Sequence, residues 1–204
     1  LANSLISIAA KREMARTYKM NVDHIKLQEF ARGFKFNETE DQITCLNEVF
    51  NDLSSAKPMD RLICGDVGFG KTEIALRASF ISSLNNFKVL IIAPTTLLAN
   101  QHYKNFKERL HNYTNVELIT RNTTKSNKSN ILKEFESNKS NILIGTHALL
   151  SLKFSDINLG LIVVDEEQHF GVAQKEKIRS LQDNVNLLTL TATPIPRTLH
   201  MSLL

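Results

Sequence analysis

Gly65-Asp66-Val67-Gly68-Phe69-Gly70-Lys71-Thr72 has the form G-x-x-x-x-G-K-T, which is the signature of a phosphate-binding loop. A short apolar run before the loop predicts a strand, and residues 73–84 after it have the spacing of a helix. The glycines let backbone N–H groups turn toward a polyphosphate, and the start of the helix adds its positive end. We therefore expect a nucleotide to bind this loop and Glu73 after it, with Lys71 at the β- and γ-phosphates and the Thr72 hydroxyl on Mg²⁺.

The composition, 42% hydrophobic and 23% charged over 204 residues, is that of a soluble globular protein. Cys45 and Cys64 lie among apolar residues, so we expect reduced core thiols rather than a disulfide or a metal pair. No apolar run approaches the length of a membrane span and no signal-peptide pattern opens the chain, so we expect a cytoplasmic protein with no membrane partner. The net charge of +4 is compatible with a nucleic-acid partner but does not require one.

Apolar runs alternate with helical patterns along most of the chain. The predicted strands are 61–64, 87–93, 115–120, 141–145, 160–165 and 186–191. The predicted helices between and after them are near 71–84, 96–110, 127–138, 172–182 and 195–203. Several strands are continuous apolar runs, which fit a parallel sheet covered on both faces. This order predicts an α/β fold with a mostly parallel, doubly wound sheet.

Helical patterns also precede the first strand. Residues 1–32 predict helix with a weak break near Met20, and Gly33 suits its C-terminal cap. A further helix is predicted over 39–53, with Thr39 as N-cap. The polar segment 121–130 predicts an exposed loop.

Two carboxylates lie at the C-terminal end of the predicted strand 160–165, where open α/β sheets bind ligands. We expect Asp165 to hold Mg²⁺, directly or through water, and Glu166 to orient and polarise the water that attacks the γ-phosphate. Alone, such a pair would be an ordinary solvated strand end. Paired with the phosphate-binding loop, it predicts hydrolysis, and Gln168 with Lys71 completes the predicted catalytic set.

The segment Leu188-Thr189-Leu190-Thr191-Ala192-Thr193-Pro194 resembles the third motif of superfamily-two helicase and translocase motors. The resemblance implies a RecA-like fold with a P-loop. It places Thr191 and Thr193 between the ATP site and the nucleic-acid face, where they couple the two. It also implies that Gln168 is their hydrogen-bond partner.

Three further segments are similar to the same family and imply contacts with nucleic acid. Thr95 and Thr96 lie where a strand ends and a helix opens, and the N-terminus of such a helix suits a DNA phosphate. Thr146 and His147 follow another strand, and Arg121 closes the strand before it. Together these residues place polar groups at the C-terminal ends of the strands, which is the face that a nucleic acid would need.

The aromatic and glutamine-containing run from Phe34 to Gln42 is similar to the adenine-recognition element of the family. The Gln42 amide can pair with the adenine edge as donor and as acceptor, and Phe34 or Phe36 can stack on the ring. Gln42 can instead complete a capping box with Thr39, three residues before it. Both roles for Gln42, and both phenylalanines, stay open.

Five segments together resemble the bacterial transcription-repair coupling factors, with the branch-migration helicase RecG as the nearest relative. They are residues 59–73, 94–103, 144–147, 165–172 and 191–199. The resemblance implies a helical connector at 1–33. After it, residues 34–204 would form the first RecA-like, ATP-binding lobe of an ATP- and Mg²⁺-dependent double-stranded DNA translocase.

The same resemblance implies partners. RNA polymerase and excision-repair proteins would bind through domains outside these residues, and a second RecA-like lobe would supply an arginine finger. Because the second-lobe run of the form Q-x-x-G-R-x-G-R does not occur here, we expect these 204 residues alone to hydrolyse ATP negligibly. The alternatives are a lobe of a RecG-type branch-migration helicase, and a nucleotide-gated binding module without motor activity.

Overall fold

Six parallel strands form one sheet in the computed structural model, which describes residues 15–137, 139–152, 157–181 and 184–192. The strands are β1 (Asp60–Cys64), β2 (Lys88–Ile92), β3 (Asn115–Ile119), β4 (Ser140–Gly145), β5 (Leu159–Asp165) and β6 (Asn186–Thr191). Their order across the sheet is β1-β6-β5-β2-β4-β3, and every neighbouring pair is parallel. All six lie where the sequence predicts strands, within one or two residues.

The helices cover both faces of this sheet. They are α1 (His24–Ala31), α2 (Glu40–Leu53), α3 (Lys71–Leu84), α4 (Thr96–Leu110), α5 (Lys125–Glu136) and α6 (Val172–Ser180). Along β2, Val89 and Ile91 pack into one core with Phe80 of α3, whereas Leu90 and Ile92 pack into the second core. Alternate side chains of a strand point to opposite faces, so two separate cores require helices on both sides. The predicted doubly wound α/β fold is confirmed.

Local hydrogen bonds fix where the helices begin. The Thr39 hydroxyl accepts from the Gln42 N–H, and the Gln42 side chain accepts from the Thr39 N–H at 3.0 Å, so the predicted capping box is present. The prediction of a loop over 121–130 is wrong beyond Thr124. The Thr124 hydroxyl accepts from the Asn127 N–H at 3.3 Å, and α5 begins at Lys125.

The predicted helix before Met20 is not found over residues 15–20, and residues 1–14 lie outside the described residues. The Thr17 N–H donates to the Ala56 carbonyl and the Met20 N–H to the Leu53 carbonyl, both at 2.9 Å. Because these two N–H groups bond to the last residue of α2 and to the segment after it, they do not form the i to i−4 bonds of a helix. The division of the chain at residue 33 stays a prediction.

Cys64 is exposed, so the prediction that both cysteines are core thiols is wrong for this residue. It ends β1, an edge strand of the sheet. Cys45 is partly buried, and burial raises the pKa of its thiol. Both cysteines are free. In the described ranges, no helix has the length and apolar character needed to cross a bilayer.

Candidate functional site

The phosphate-binding loop joins β1 to α3 and takes a backbone form that its glycines permit. Gly68 and Gly70 have φ of 88° and 76°, in the left-handed region that favours glycine. The Gly65 N–H donates to the Thr191 carbonyl at 3.2 Å, which holds the start of the loop against β6. A Cβ on Gly70 would lie 2.5 Å from Gln42 Nε2. The loop is therefore curled and held at both ends.

Lys71 and Thr72 form the first turn of α3. The Lys71 ammonium donates to the Gly65 carbonyl and, at 2.9 Å, to the Asp66 carbonyl, so it lies inside the curl of the loop. An ammonium at this point can exchange these carbonyls for phosphate oxygens, because it is a charged donor with three hydrogens. Thr72 is half-buried beside it.

Asp165 ends β5, and the strand register places it on the same edge of the sheet as the loop. Cys64 of β1 is paired with Thr191 of β6, and Asp165 with Leu190 of β6, so the ends of β1 and β5 are level. Because β6 lies between them, the ends of β1 and β5 are about 10 Å apart at the usual spacing of neighbouring strands. The Thr72 hydroxyl and the Asp165 carboxylate are oxygen ligands of the kind Mg²⁺ takes beside phosphates, so these residues fit a magnesium-bound triphosphate.

Asp165 has a partner that sequence reasoning missed. His102 Nε2, on α4, lies 2.7 Å from Asp165 Oδ2, and both residues are buried. Because an ionised carboxylate only accepts, this geometry makes the imidazole the donor. The sequence did contain a pattern that could have indicated this burial. Ala99, His102 and Phe106 are spaced by three and four residues, which puts His102 on the buried face of α4.

Glu166 is held by the third motif. Its φ of 51° is left-handed, which a non-glycine residue adopts at a cost of about 1–3 kcal/mol and which is common at functional sites. Its N–H donates to the Leu190 carbonyl at 2.8 Å, and its carboxylate accepts from Gln168 Nε2 and lies 3.4 Å from the Ala192 nitrogen. The base candidate is therefore fixed by its neighbours on both sides.

Gln168 joins Glu166 to Thr191. While its Nε2 donates to Glu166, its Oε1 accepts from the Thr191 hydroxyl at 2.9 Å. The predicted contact between Gln168 and Thr191 is present. The other predicted partner, Thr193, lies outside the described residues. We call the chain Glu166–Gln168–Thr191 the glutamine relay.

The adenine element lies against the loop. Besides its capping bond, Gln42 donates through Nε2 to the Phe69 carbonyl at 2.6 Å, so both ends of its amide are engaged. The Phe34 ring is half-buried, with the Arg77 guanidinium carbon 5.8 Å from its centroid and the Phe36 ring edge-on at 5.6 Å. Phe36 is 73% exposed and has the freer face. The adenine roles of Gln42 and Phe34 stay predictions.

Glu73 was predicted to bind nucleotide, but its carboxylate is committed elsewhere. It is 6% exposed, accepts from Arg77 at 2.9 Å and from Arg109 of α4 at 2.8 Å. Arg77 also binds Glu38, and that hydrogen bond lowers the pKa of Glu38. The Glu73 N–H donates to the Gly70 carbonyl at 2.9 Å. The structure thus assigns the Glu73 side chain to an ion-pair cluster behind the loop rather than to the ligand.

The predicted nucleic-acid residues follow β2, β3 and β4. The C-terminal ends of these strands form the other half of the edge that carries the loop and Asp165. Thr95 is exposed and caps α4 by accepting from the Leu98 N–H at 3.2 Å, and Thr96 is half-buried. Arg121 and His147 are exposed. Thr146 is 6% exposed, so its side chain is poorly placed to touch a phosphate directly. These contacts stay predictions.

The comparisons with known proteins agree with this geometry. The DEAD/DEAH box helicase family model matches residues 39–202. Transcription-repair-coupling factors of Haemophilus influenzae and Bacillus subtilis are 48% and 46% identical over 100% of this chain, which spans 18% and 17% of their lengths. The chain thus covers about a fifth of these curated relatives, and the predicted resemblance to them is confirmed.

Solved structures are similar as well. RecG bound to a three-way DNA junction matches 96% of this chain and 26% of its own at a TM-score of 0.81 and 32% identity. The UvsW helicase of bacteriophage T4 matches 86% of this chain and 62% of its own at a TM-score of 0.60, and at 17% identity it supports the fold alone. With the family model covering most of its length, the chain belongs to the DEAD/DEAH box helicase family.

Proposed function

We propose that this chain is the first ATP-binding motor lobe of an ATP-dependent double-stranded DNA translocase. In this proposal the whole protein displaces stalled RNA polymerase and couples transcription to nucleotide excision repair in the cytoplasm. The observation that supports the motor assignment is the glutamine relay, because it ties the base candidate Glu166 to Thr191 of the third motif, which we propose couples the ATP site to the nucleic-acid face. The similarity to transcription-repair-coupling factors supports the biological role.

In this mechanism the loop and Lys71 bind and orient the triphosphate of ATP. Mg²⁺, held by Thr72 and Asp165, would offset negative charge on the phosphates. Glu166 orients the attacking water and accepts its proton, and the Gln168 amide keeps the carboxylate facing that water. Because Gln168 also accepts from Thr191, a movement of Thr191 changes the placement of Glu166.

Double-stranded DNA would lie along the ends of β2, β3 and β4. The first turn of α4 offers N–H groups and the Thr95 and Thr96 hydroxyls to a phosphate, and Arg121 and His147 add exposed donors nearby. We propose that RNA polymerase and excision-repair proteins bind elsewhere in the whole protein. A second RecA-like lobe would supply an arginine finger, which is typically worth about 10³–10⁵ in rate.

The test measures ATP hydrolysis by the full-length protein with no DNA, linear duplex and forked DNA, together with displacement of a stalled RNA polymerase. We expect linear duplex to raise hydrolysis at least about tenfold and polymerase to be released only with hydrolysable ATP. Lys71→Ala is the inactive control. Hydrolysis that does not respond to any DNA would instead support the nucleotide-gated binding module.

RecG-type branch migration is the second candidate, and the structural similarity to RecG at a TM-score of 0.81 favours it. Stimulation by forked DNA well above that by linear duplex, without release of polymerase, would select it. For either motor, we propose that the 204-residue chain alone turns ATP over at a rate near background, since the arginine finger belongs to the second lobe. Motor-like turnover by this chain alone would refute that part of the proposal.

A further inference from the structure

His102 is a buried histidine on the helix that opens with the predicted nucleic-acid contacts. It is 7% exposed, and its ring packs edge-on to Phe106 at 6.2 Å. Its Nε2 lies 2.7 Å from Oδ2 of Asp165, which is itself 8% exposed. Burying a polar side chain costs free energy unless it is hydrogen-bonded, and the bond to Asp165 offsets that cost for His102.

The contact bears on how Asp165 can hold a metal. His102 engages one carboxylate oxygen, Oδ2, and a carboxylate has a second oxygen for a cation. Groups that hydrogen-bond a metal-ligating carboxylate fix its orientation, and removing them typically costs about 10- to 100-fold in metal affinity or activity. His102 is thus placed to set the direction in which Asp165 points.

Helix α4 connects this contact to two other parts of the site. His102 and Arg109 are seven residues apart, so they share one face of the helix. Arg109 donates to Glu73 at 2.8 Å, in the first turn of the loop helix α3. The same helix begins at Thr96, with Thr95 as its cap. One rigid element therefore touches the Asp165 strand end, the loop helix and the nucleic-acid half of the edge.

We propose that His102 is a positioning residue that orients the Asp165 carboxylate for Mg²⁺ and transmits nucleic-acid binding at the start of α4 to that carboxylate. This inference rests on the proposed function. A shift of α4 on binding a DNA phosphate moves His102 relative to β5, and the hydrogen bond carries that movement to Asp165. No proton transfer is involved, and His102 does not touch the nucleotide.

The first experiment titrates Mg²⁺ into the full-length protein with a fluorescent ADP analogue and reads binding at equilibrium, without turnover. We expect His102→Leu to raise the half-saturating Mg²⁺ concentration about 10- to 100-fold, with affinity in EDTA unchanged. His102→Gln keeps an N–H at a similar reach and should restore the titration to within about threefold. His111→Leu makes the same change at the exposed residue that caps the C-terminus of α4 and should match the wild type.

The second experiment measures the factor by which duplex DNA changes the affinity for the Mg²⁺-bound analogue. We expect this factor to fall toward one in His102→Leu, and the analogue's effect on DNA affinity to fall equally, because coupling is reciprocal. Thermal denaturation checks that the leucine variant is folded. If it shows no unfolding transition, His102→Met replaces it in both experiments.

A half-saturating Mg²⁺ concentration within twofold of the wild type would overturn the positioning role, and an unchanged DNA factor would overturn the transmission. Both results leave the proposed function intact. The proposed function fails separately, if the wild type binds no Mg²⁺-dependent nucleotide or if Lys71→Ala binds it as well as the wild type.

Discussion

Gln168→Met should slow ATP hydrolysis by the full-length protein about 10- to 100-fold while leaving nucleotide affinity within about twofold. Methionine has a similar length but lacks the amide, so it removes both hydrogen bonds of the glutamine relay with little change in packing. A hydrogen bond to a charged group contributes about 1.5–3 kcal/mol. If losing this bond affects only the placement of Glu166, the activation free energy of hydrolysis rises by that amount. Since about 1.4 kcal/mol corresponds to a tenfold change in rate, turnover should fall by the expected factor.

The assay follows phosphate release at saturating ATP with duplex DNA, alongside equilibrium binding of a fluorescent ATP analogue. Gln174→Met is the matched control, since its side chain accepts from the Gly171 N–H at 2.9 Å, outside the relay. Turnover within twofold of the wild type in Gln168→Met would refute the argument. A fall in binding equal to the fall in turnover would do the same, since the relay would then hold the nucleotide rather than the base.

Lys71→Ala should weaken binding of the ATP analogue at least about 100-fold, whereas Glu166→Gln should bind it within about threefold and lose at least about 100-fold in turnover; retained turnover would remove Glu166 from the base role. Glu73→Gln in the 204-residue chain should lower the free energy of unfolding in urea by about 3–5 kcal/mol, because it removes a charge that pairs with the buried Arg77 and the partly buried Arg109. Glu108→Gln, at an exposed pair, should cost about 1 kcal/mol or less, so equal losses would contradict the buried cluster. Burial lowers the pKa of Lys88 from 10.5 to about 8, so the unfolded state binds this proton more tightly, and the free energy of unfolding should rise from pH 8 to 10.5. Lys88→Met should flatten that rise in urea titrations across this range, and an unchanged slope would assign it to other groups.

The elements that the sequence predicted well are those fixed by local patterns. The alternation of buried strands and helices is set by residue spacing, and the capping box at Thr39 and Gln42 by residues three apart. The phosphate-binding loop was equally local, because its glycines and Lys71 are contiguous. Because β1 and β5 run parallel in one sheet, their C-terminal ends lie at the same edge. The loop and Asp165 therefore come together without any additional sequence motif.

The parts that the sequence did not predict depend on contacts between distant residues. His102 meets Asp165 across 63 positions, and Glu73 meets Arg109 across 36, so neither pair has a spacing that a pattern could show. Likewise, residues 15–20 have helical composition, but their N–H groups bond to carbonyls at the end of α2 instead. Tertiary hydrogen bonds overrode local propensity there, as they commonly do.

The strand order divides the functional edge into two halves that meet between β5 and β2. The ends of β1, β6 and β5 carry the loop, Thr191 and Asp165, and the ends of β2, β4 and β3 carry the predicted nucleic-acid residues. At the boundary, Ile92 pairs with Val164, so the chain leaves β2 toward α4 next to the point where β5 delivers Asp165. At this boundary, His102 of α4 contacts Asp165 at the end of β5. A motor must link two ligands without letting them compete. In the proposed motor, each ligand would have its own strands along this edge, and α4 would join the two sites.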